Sequence, residues 1–305
     1  MSSDNADHSS AVEFETFASH RAMVGEIEVR RALPQRSHRT IGAWCFADHM
    51  GPASVTEERG LDIGPHPHTG LATLTWLIEG EAVHRDSLGS EQLIRPGQLN
   101  LMSAGYGVAH AEEPTGAYRG TLEGIQLWIA QPEHTRHGAR AFEHHGELPH
   151  LMIGTSEATV LVGEMLGEAS PVRHDTALLG LDLDLRGVAE LPLDPTFEYG
   201  VIVLRGAVSV GGSLVEPGTL AYFAPGADEW RLETRDPARV IVLGGEPWLE
   251  GITMWWNFVA RNRDELTAAY FAWVERDERY GTVASPLAAI DAPVPFWLHS
   301  ERAPL

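Results

Sequence analysis

Short apolar runs separated by turn residues dominate the chain between residues 71 and 259. The runs are rich in β-branched and apolar side chains, they are broken by Gly, Pro or Asp, and no long stretch has helical periodicity. This pattern is typical of the strands of a β-sandwich or barrel. Within residues 71–85, two alternating runs meet at Glu79 and Gly80, which predicts a β-hairpin there.

Two pairs of similar blocks predict that one unit occurs twice. LIRPGQLNLMSAG at residues 93–105 aligns without a gap with LVEPGTLAYFAPG at 214–226, and each block carries Pro-Gly at a turn before an apolar run. Upstream, LIEGEAV at Leu77 matches VLRGAVS at Val203, and the offset between the copies falls from 126 to 121 residues. A shorter loop in the second copy explains this change, since repeats tolerate loop changes well.

The length of 305 residues is sufficient for two domains of ordinary size. The boundary between the two domains is expected in a His- and Glu-rich stretch that begins at Gln131 and has no sustained apolar period. We therefore assign residues 1–135 to an N-terminal barrel, 136–150 to a linker, and 151–305 to a C-terminal barrel with a helix. The histidines of this stretch are interpreted first as linker residues: His134, His137, His144, His145 and His150.

Near the C-terminus the pattern changes to helical spacing. Asn262 with Glu265 three positions later resembles a capping box. The apolar positions that follow have helical spacing and predict one amphipathic helix before Gly281: Leu266, Ala269, Tyr270, Trp273 and Val274. Its aromatic side chains are expected to pack in the core. The Pro- and Ala-rich tail from Ser285 is expected to cover one of the barrels, and the sequence is compatible with either of them.

Charge and cysteine content narrow the possible partners and location. Forty-three acidic and 22 basic side chains give a formal charge of −21, which opposes binding to nucleic acid or anionic lipid. No apolar run reaches the roughly 20 residues of a membrane span, and the opening MSSDNADHSSAVEFE is unlike a targeting leader. The single cysteine, Cys45, excludes an internal disulfide and is expected to serve in packing. We expect a cytoplasmic protein.

Four side chains predict a metal site. His66 and His68 stand on either side of Pro67 just before a strand, and residues two apart in an extended chain point to the same face. Pro67 also favours extended geometry at the residue before it. His110 and Glu112 repeat this spacing at the end of another strand.

Three imidazoles and one carboxylate suit a borderline divalent ion with open positions, so we expect Fe(II), with nickel, copper or manganese as alternatives. In the second copy, Pro192 and Asp194 stand where the first histidine pair would be. Trp230 or Arg231 stands where His110 would be. The sequence therefore predicts one metal ion per chain, held in the first barrel.

The residues around these ligands resemble a known family. GPHPHTGLATLTWLIEGEAVHRDSLGS, PGQLNLMSAGYGVAHAEEP and GIQLWIAQP resemble the pirin family of bicupins, whose pattern has Pro-His-Pro-His-x-Gly, Glu-His-Arg-Asp-Ser and His-Ser-Glu. The likeness is dense over residues 46–132, from FADHMGP onward, and thins afterwards to GGEPW at Gly244 and the predicted helix. It implies an all-β bicupin, a metal-free second barrel, and ligands, usually for iron, at His66, His68, His110 and Glu112.

Three positions depart from the family pattern. Thr69 stands where a basic residue is common, Tyr106 where Arg is common, and Ala111 where Ser is common. Thr69 and Tyr106 are expected near the mouth of the pocket, so substrate preference does not carry over. His84 matches the family and is interpreted as a strand-end scaffold that at most contacts a ligand.

The resemblance implies two functions of different class. Some pirins resemble quercetinases, which open a flavonol ring with dioxygen; the metal would bind the enol oxygen, and Glu112 would accept the hydroxyl proton as the catalytic base. Other pirins are described as iron-dependent, redox-responsive regulators that bind transcription factors or metabolic enzymes. A cupin-type isomerase is a third option. We favour the dioxygenase, with a small aromatic substrate, and keep the protein partner as the alternative.

Overall fold

The computed structural model describes residues 13–56 and 60–299; the extreme N-terminal part of the opening segment, residues 1–12, lies outside the described residues. The strands up to residue 145 are β1 (Glu15–Ala18), β2 (His20–Val24), β3 (Ile27–Leu33), β4 (Trp44–Val55), β5 (Ile63–His68), β6 (Leu71–Glu79), β7 (Ala82–Asp86), β8 (Glu91–Ile94), β9 (Leu99–Ser103), β10 (Val108–Glu113), β11 (Gly120–Ala130) and β12 (Ala141–His145).

The strands that follow are β13 (His150–Ile153), β14 (Ser156–Val162), β15 (Glu164–Met165), β16 (Glu168–Ala169), β17 (Leu178–Leu185), β18 (Val188–Pro192), β19 (Glu198–Arg205), β20 (Val208–Val210), β21 (Ser213–Val215), β22 (Thr219–Phe223), β23 (Glu229–Glu233), β24 (Ala238–Gly245), β25 (Thr253–Trp255) and β26 (Phe258–Ala260). The helices are α1 (Arg263–Val274) and α2 (Phe296–His299). Neither helix is long and apolar enough to cross a membrane, within the residues described.

Two barrels of the same topology form the molecule. The first combines a sheet in the order β12-β9-β6-β11-β4-β3-β2 with a sheet in the order β5-β10-β7-β8. The second combines β1-β22-β19-β24-β17-β14-β13 with β18-β23-β20-β21. Strands β9, β6, β11 and β4 correspond in order to β22, β19, β24 and β17, and the four-stranded sheets correspond strand by strand. The predicted all-β bicupin with a C-terminal helix is confirmed.

The repeated Pro-Gly blocks occupy the same place in the two barrels. Pro96 and Gly97 lie in the turn between β8 and β9, and Pro217 and Gly218 lie between β21 and β22. Both glycines have left-handed backbone angles, with φ of 82° and 79°, which a residue without Cβ adopts at little cost. The repeat seen in the sequence therefore corresponds to a repeated strand-turn-strand unit.

The hairpin predicted at Glu79 and Gly80 is wrong, although both strands exist. Strand β6 pairs with β9 and β11, whereas β7 pairs with β8 and β10 in the other sheet. Gly80 has φ of 95°, and a Cβ there would lie 2.8 Å from the Thr121 carbonyl oxygen. The bend carries the chain around a corner of the barrel. Alternation continues on both sides because each strand has a buried face, whichever sheet it joins.

Some segments pair across the predicted domain limits, and the division at residues 135 and 150 remains a proposal. Strand β1 pairs with β22 of the second barrel, and β12, inside the expected linker, pairs with β9 of the first. The tail covers the first barrel, where the Ile290 amide donates to the Pro65 carbonyl oxygen at 2.8 Å. Ala109 and Ala111 of β10 share a buried cluster with Leu266 of α1.

Helix α1 begins as predicted and ends earlier than expected. The Asn262 side chain accepts a hydrogen bond from the Glu265 amide at 3.0 Å. The helix ends at Val274, because Arg276 adopts a left-handed φ of 60° and the Asp277 amide donates back to the Ala272 carbonyl at 2.8 Å. The aromatic side chains Tyr270 and Trp273 are buried, as the periodicity predicted.

The contact between the barrels is apolar with buried polar links. One hydrophobic cluster contains Leu127 of β11 together with Leu243 of β24. Glu123 of β11, fully buried, accepts from Arg205 of β19 at 3.0 Å and lies 2.8 Å from His49 Nε2. Cys45 is buried, and burial raises the pKa of its thiol to about 12, which agrees with a packing role.

Candidate metal centre

The two histidine-containing segments meet because β5 and β10 are antiparallel neighbours. His66 lies directly opposite His110 in the register, and His68 lies opposite Val108. The register shifts between His110 and Glu112, a bulge that interrupts the ladder. Bulges redirect side chains and are common near functional sites. The sheet thus brings the i, i+2 pairs together from positions more than forty residues apart.

The structure groups the predicted ligands in two overlapping triads. One ring nitrogen from each of His66, His68 and His110 lies within 4.8 Å of the others. The Nε2 atoms of His68 and His110 are 3.0 Å apart. Glu112 is close to His110 and to His84 by the same criterion, so His110 belongs to both triads. All five side chains are buried.

Backbone carbonyls fix the tautomers of two of these histidines. His66 Nδ1 lies 2.9 Å from the Gly64 carbonyl oxygen, and His68 Nδ1 lies 3.1 Å from that of Asn257. Because a carbonyl oxygen only accepts, each Nδ1 carries the hydrogen and donates it. Each Nε2 then keeps a free lone pair, which is the state that a metal ligand requires.

His110 is held by another histidine instead of a carbonyl. Its Nδ1 faces His84 Nδ1 at 3.4 Å, and His84 Nε2 lies 3.2 Å from Asp86 Oδ2. Since the Asp86 carboxylate accepts from His84 Nε2, the His84 Nδ1 is free to accept from His110. The His84 ring also stacks on Phe142 of β12, with ring centroids 4.4 Å apart. His84 therefore contacts a predicted ligand, which is the largest role that the sequence suggested for it.

The surroundings keep the imidazoles neutral. Burial lowers the pKa of His66 to about 4. Burial, and next the facing imidazoles, lower the pKa of His68 and His110 well below the ordinary value. Burial raises the pKa of Glu112. Desolvation favours the uncharged form of each group, so all three histidines are available as ligands at neutral pH without loss of a proton.

Two polar side chains that sequence reasoning missed orient Glu112. Thr75 Oγ1 of β6 donates to Glu112 Oε1 at 3.0 Å, and the Gln126 side-chain amide of β11 lies 3.0 Å from the same hydroxyl. The Thr75 hydroxyl thus lies between two side-chain oxygens, Glu112 Oε1 and Gln126 Oε1, and its single hydrogen is donated to one of them at a time. Thr75 and Gln126 are polar residues inside otherwise apolar strands, and this exception to the pattern could have indicated in the sequence that they contact a buried polar group.

The candidate ligands open into a cavity of about 390 Å³ with aromatic sides. Phe46 and Trp128 stack with ring centroids 4.0 Å apart, and Trp128 meets the His68 ring edge-on at 5.1 Å. The Arg31 guanidinium lies 4.5 Å above the Phe46 ring and makes a two-pronged ion pair with Asp48. This volume is in the range of small-molecule sites.

The C-terminal segment completes the cavity, which the sequence did not predict. Trp256, Asn257 and Ile290 are among the residues that line it. Thr69 and Tyr106, expected near the mouth, are not among them. Thr69 instead accepts a backbone hydrogen bond from Val259, and the Tyr106 ring packs under Arg279.

These residues fit a single divalent ion. Three neutral imidazoles whose ring nitrogens lie within 4.8 Å of one another, with a carboxylate close to one of them, form a donor set for a borderline metal such as iron, nickel, copper or manganese. The corresponding region of the second barrel is apolar: Leu191 of β18 and Trp230 of β23 pair and are buried in its core. Both potential metal groups found among the described residues lie in the first barrel.

Two barrels of cupin topology, the first with a histidine-lined cavity and the second filled by its own core, define a bicupin with a single candidate metal centre. The family model for Pirin matches residues 26–129, and that for the Pirin C-terminal cupin domain matches residues 179–279. The chain therefore belongs to the pirin family.

Relatives carry two kinds of name. A Pseudomonas aeruginosa protein with the proposed name quercetin 2,3-dioxygenase is 48% identical over 259 residues, covering 84% of this chain and 82% of that protein. A pirin-like protein of Caulobacter vibrioides is 36% identical over 84% of this chain and 91% of its own length. The crystal structure of quercetin 2,3-dioxygenase from Acinetobacter baumannii superposes with a TM-score of 0.89 at 43% identity, covering 92% of this chain and 95% of that one.

Proposed function

We propose that this pirin is a metal-dependent dioxygenase of the quercetinase type, which binds one divalent ion through His66, His68, His110 and Glu112. The observation that carries the proposal is the set of imidazole lone pairs and one carboxylate directed into an aromatic-sided cavity. Fe(II) is the preferred ion, with nickel, copper or manganese as alternatives. When bound, the ion supplies Lewis-acid polarisation of a substrate oxygen.

Glu112 has the role of general base. Burial raises the pKa of its carboxyl group, which makes the carboxylate a stronger acceptor for a flavonol hydroxyl proton. Thr75 holds Oε1 by a hydrogen bond, so Oε2 is the oxygen that would ligate the ion, and it would have to leave the ion to take the hydroxyl proton. The Phe46 and Trp128 rings give the cavity a flat aromatic side, suited to stacking on a planar flavonol.

The names of the relatives support the same substrate class. Both the Pseudomonas and the Acinetobacter proteins are named for quercetin, a flavonol with the planar ring system and enol hydroxyl that the cavity suits. The proposal includes a cytoplasmic location, supported by a single, buried cysteine. The acidic charge of −21 supports a partner other than nucleic acid.

Elemental analysis of protein purified without added metal tests the ligand set. One ion per chain is expected, and the His66→Ala, His110→Ala double variant should lose it, because two of the four donors are removed. Two ions per chain, or full metal content in the double variant, would contradict the assignment. A His134→Ala, His137→Ala variant, altered at two exposed positions, is the matched control and should keep the ion.

Oxygen uptake with a flavonol panel tests the activity. Quercetin should be consumed together with dioxygen, and carbon monoxide should be released as the ring is cleaved. The test uses samples loaded separately with iron, nickel, copper and manganese. If none shows substrate-dependent oxygen uptake or carbon monoxide release, the dioxygenase proposal fails and an iron-dependent regulatory protein becomes the leading hypothesis. Comparison of partners captured by the ferrous and ferric forms then tests that alternative.

A further inference from the structure

A two-residue turn of the C-terminal segment has an unusual residue at its first position. Trp255 of β25 pairs with Phe258 of β26, so Trp256 and Asn257 form the turn between them. Trp256 has a left-handed φ of 52°. Tight hairpin turns that need a positive φ at the first position favour glycine, and a bulky residue there is a steric outlier. The turn alone therefore does not account for a tryptophan.

The same turn is part of the candidate metal centre. The Asn257 carbonyl oxygen accepts the His68 Nδ1 hydrogen at 3.1 Å, across 189 positions of sequence. The next strand is fixed against the end of β5, because the Val259 amide donates to the Thr69 carbonyl at 3.2 Å. Trp256 lines the cavity and its ring meets Phe258 edge-on at 5.6 Å. Strained residues concentrate where their side chains serve a site.

We propose that Trp256 is a specificity-determining residue, whose indole contacts the aromatic rings of a planar phenolic substrate while the adjacent Asn257 backbone orients His68. The inference rests on the proposed function for the identity of the substrate. The side chain of Trp256 and the backbone of Asn257 have separate roles in it. Removing the indole should therefore weaken substrate binding and leave the metal in place.

Leu166 provides a matched control in the second barrel. Met165 pairs with Glu168, so Leu166 and Gly167 form another two-residue turn, and Leu166 has the same φ of 52°. Its side chain is 58% exposed and is not among the residues that line the metal-barrel cavity. A Leu166→Gly variant changes backbone strain in the same way as Trp256→Gly but leaves the cavity unaltered.

The experiment measures the metal content, thermal midpoint and quercetin affinity of Trp256→Gly, Trp256→Phe and Leu166→Gly. Trp256→Gly should keep one ion per chain, and its midpoint should combine the relief of strain with the loss of the ring contact to Phe258. Its Kd for quercetin, measured without oxygen, should rise about tenfold through loss of an aromatic contact. In turnover, KM should rise by the same factor with kcat unchanged. Trp256→Phe and Leu166→Gly should bind quercetin like the wild type.

The outcomes separate this inference from the proposed activity. An unchanged Kd in Trp256→Gly overturns the inference even if the wild type turns quercetin over. Metal loss from Trp256→Gly overturns it too, because the indole would then serve the turn and not the substrate. If the wild type binds quercetin but shows no turnover, the dioxygenase proposal fails, and the Kd values still decide the role of Trp256. A wild type that binds no quercetin overturns both.

Discussion

Glu112 and its neighbour Glu113 face opposite sides of β10, and only Glu112 belongs to a potential metal group. In Glu112→Gln the amide oxygen still ligates weakly, but the side chain no longer accepts a proton. We expect partial metal retention and a loss of turnover of at least about a hundredfold, the usual effect of removing a general base. Metal analysis and oxygen uptake measure the two effects.

Glu113→Gln is the control for this substitution. Glu113 makes an ion pair with Arg85 at 3.1 Å, away from the candidate ligands, so its replacement should leave metal content and turnover at wild-type levels. Unchanged turnover in Glu112→Gln would remove Glu112 from the mechanism.

His84 supports a second prediction at the residue scale. In His84→Phe the ring can still stack on Phe142, but the acceptor for His110 Nδ1 is lost. Loss of such a hydrogen-bond partner typically weakens metal binding by about 10- to 100-fold. Competition with a chelator measures the affinity, and His144→Gln in β12 is the control. Equal affinities of His84→Phe and wild type would show that His84 is only a packing residue.

At the scale of elements, helix α1 depends on its first turn. Asn262 accepts from the Glu265 amide and is the N-cap, so Asn262→Ala should lower the free energy of unfolding by about 1 kcal/mol. Denaturant titration measures this difference. Asn262→Asp keeps a capping oxygen and should retain wild-type stability; if it is destabilised as much as the alanine variant, capping is not the role of Asn262.

The C-terminal elements also determine the candidate site. Strands β25 and β26 contribute Asn257 to His68 and Trp256 to the cavity, and α1 packs on the alanines of β10. Ala111, which departs from the family serine, is fully buried in this cluster. A small apolar side chain at this position therefore allows β10 and the C-terminal segment to pack closely.

At the scale of the whole molecule, the barrels share a charged network around the buried side chains of His49 and Glu123, with a predictable pH response. Burial, and next Arg30 and Arg205, lower the pKa of His49 from 6.5 to about 3. Between these values the unfolded chain binds a proton that the folded chain does not. Folding stability therefore falls as the pH decreases below 6.5, by up to about 1.4 kcal/mol per pH unit from this residue.

His49→Gln tests this response by removing the titrating group. The variant should show a shallower decline of unfolding free energy between pH 6 and pH 4, whatever its stability at neutral pH. Urea titrations at a series of pH values measure the slopes. His134→Gln, at an exposed position, is the control with the wild-type slope. Parallel curves for His49→Gln and wild type would contradict the prediction.

The spacing of nearby residues was sufficient to predict the features of this protein that depend on short-range interactions. The His-x-His and His-x-Glu pairs, the Pro-Gly turns and the Asn262 cap each occupy a few adjacent positions, and the backbone period alone fixes which way their side chains point. The sequence therefore identified the three histidines that the structure groups, the repeated unit and the helix start.

Tertiary structure alone decided which segments meet. The bend at Gly80 sends β7 into another sheet, β1 joins the second barrel, and Trp256 reaches the cavity of the first. The acceptor for His68 comes from Asn257, 189 positions away. The alternation of apolar residues indicates that a strand has a buried face, but it does not indicate which strand it pairs with. That choice depends on burial summed over distant parts of the chain.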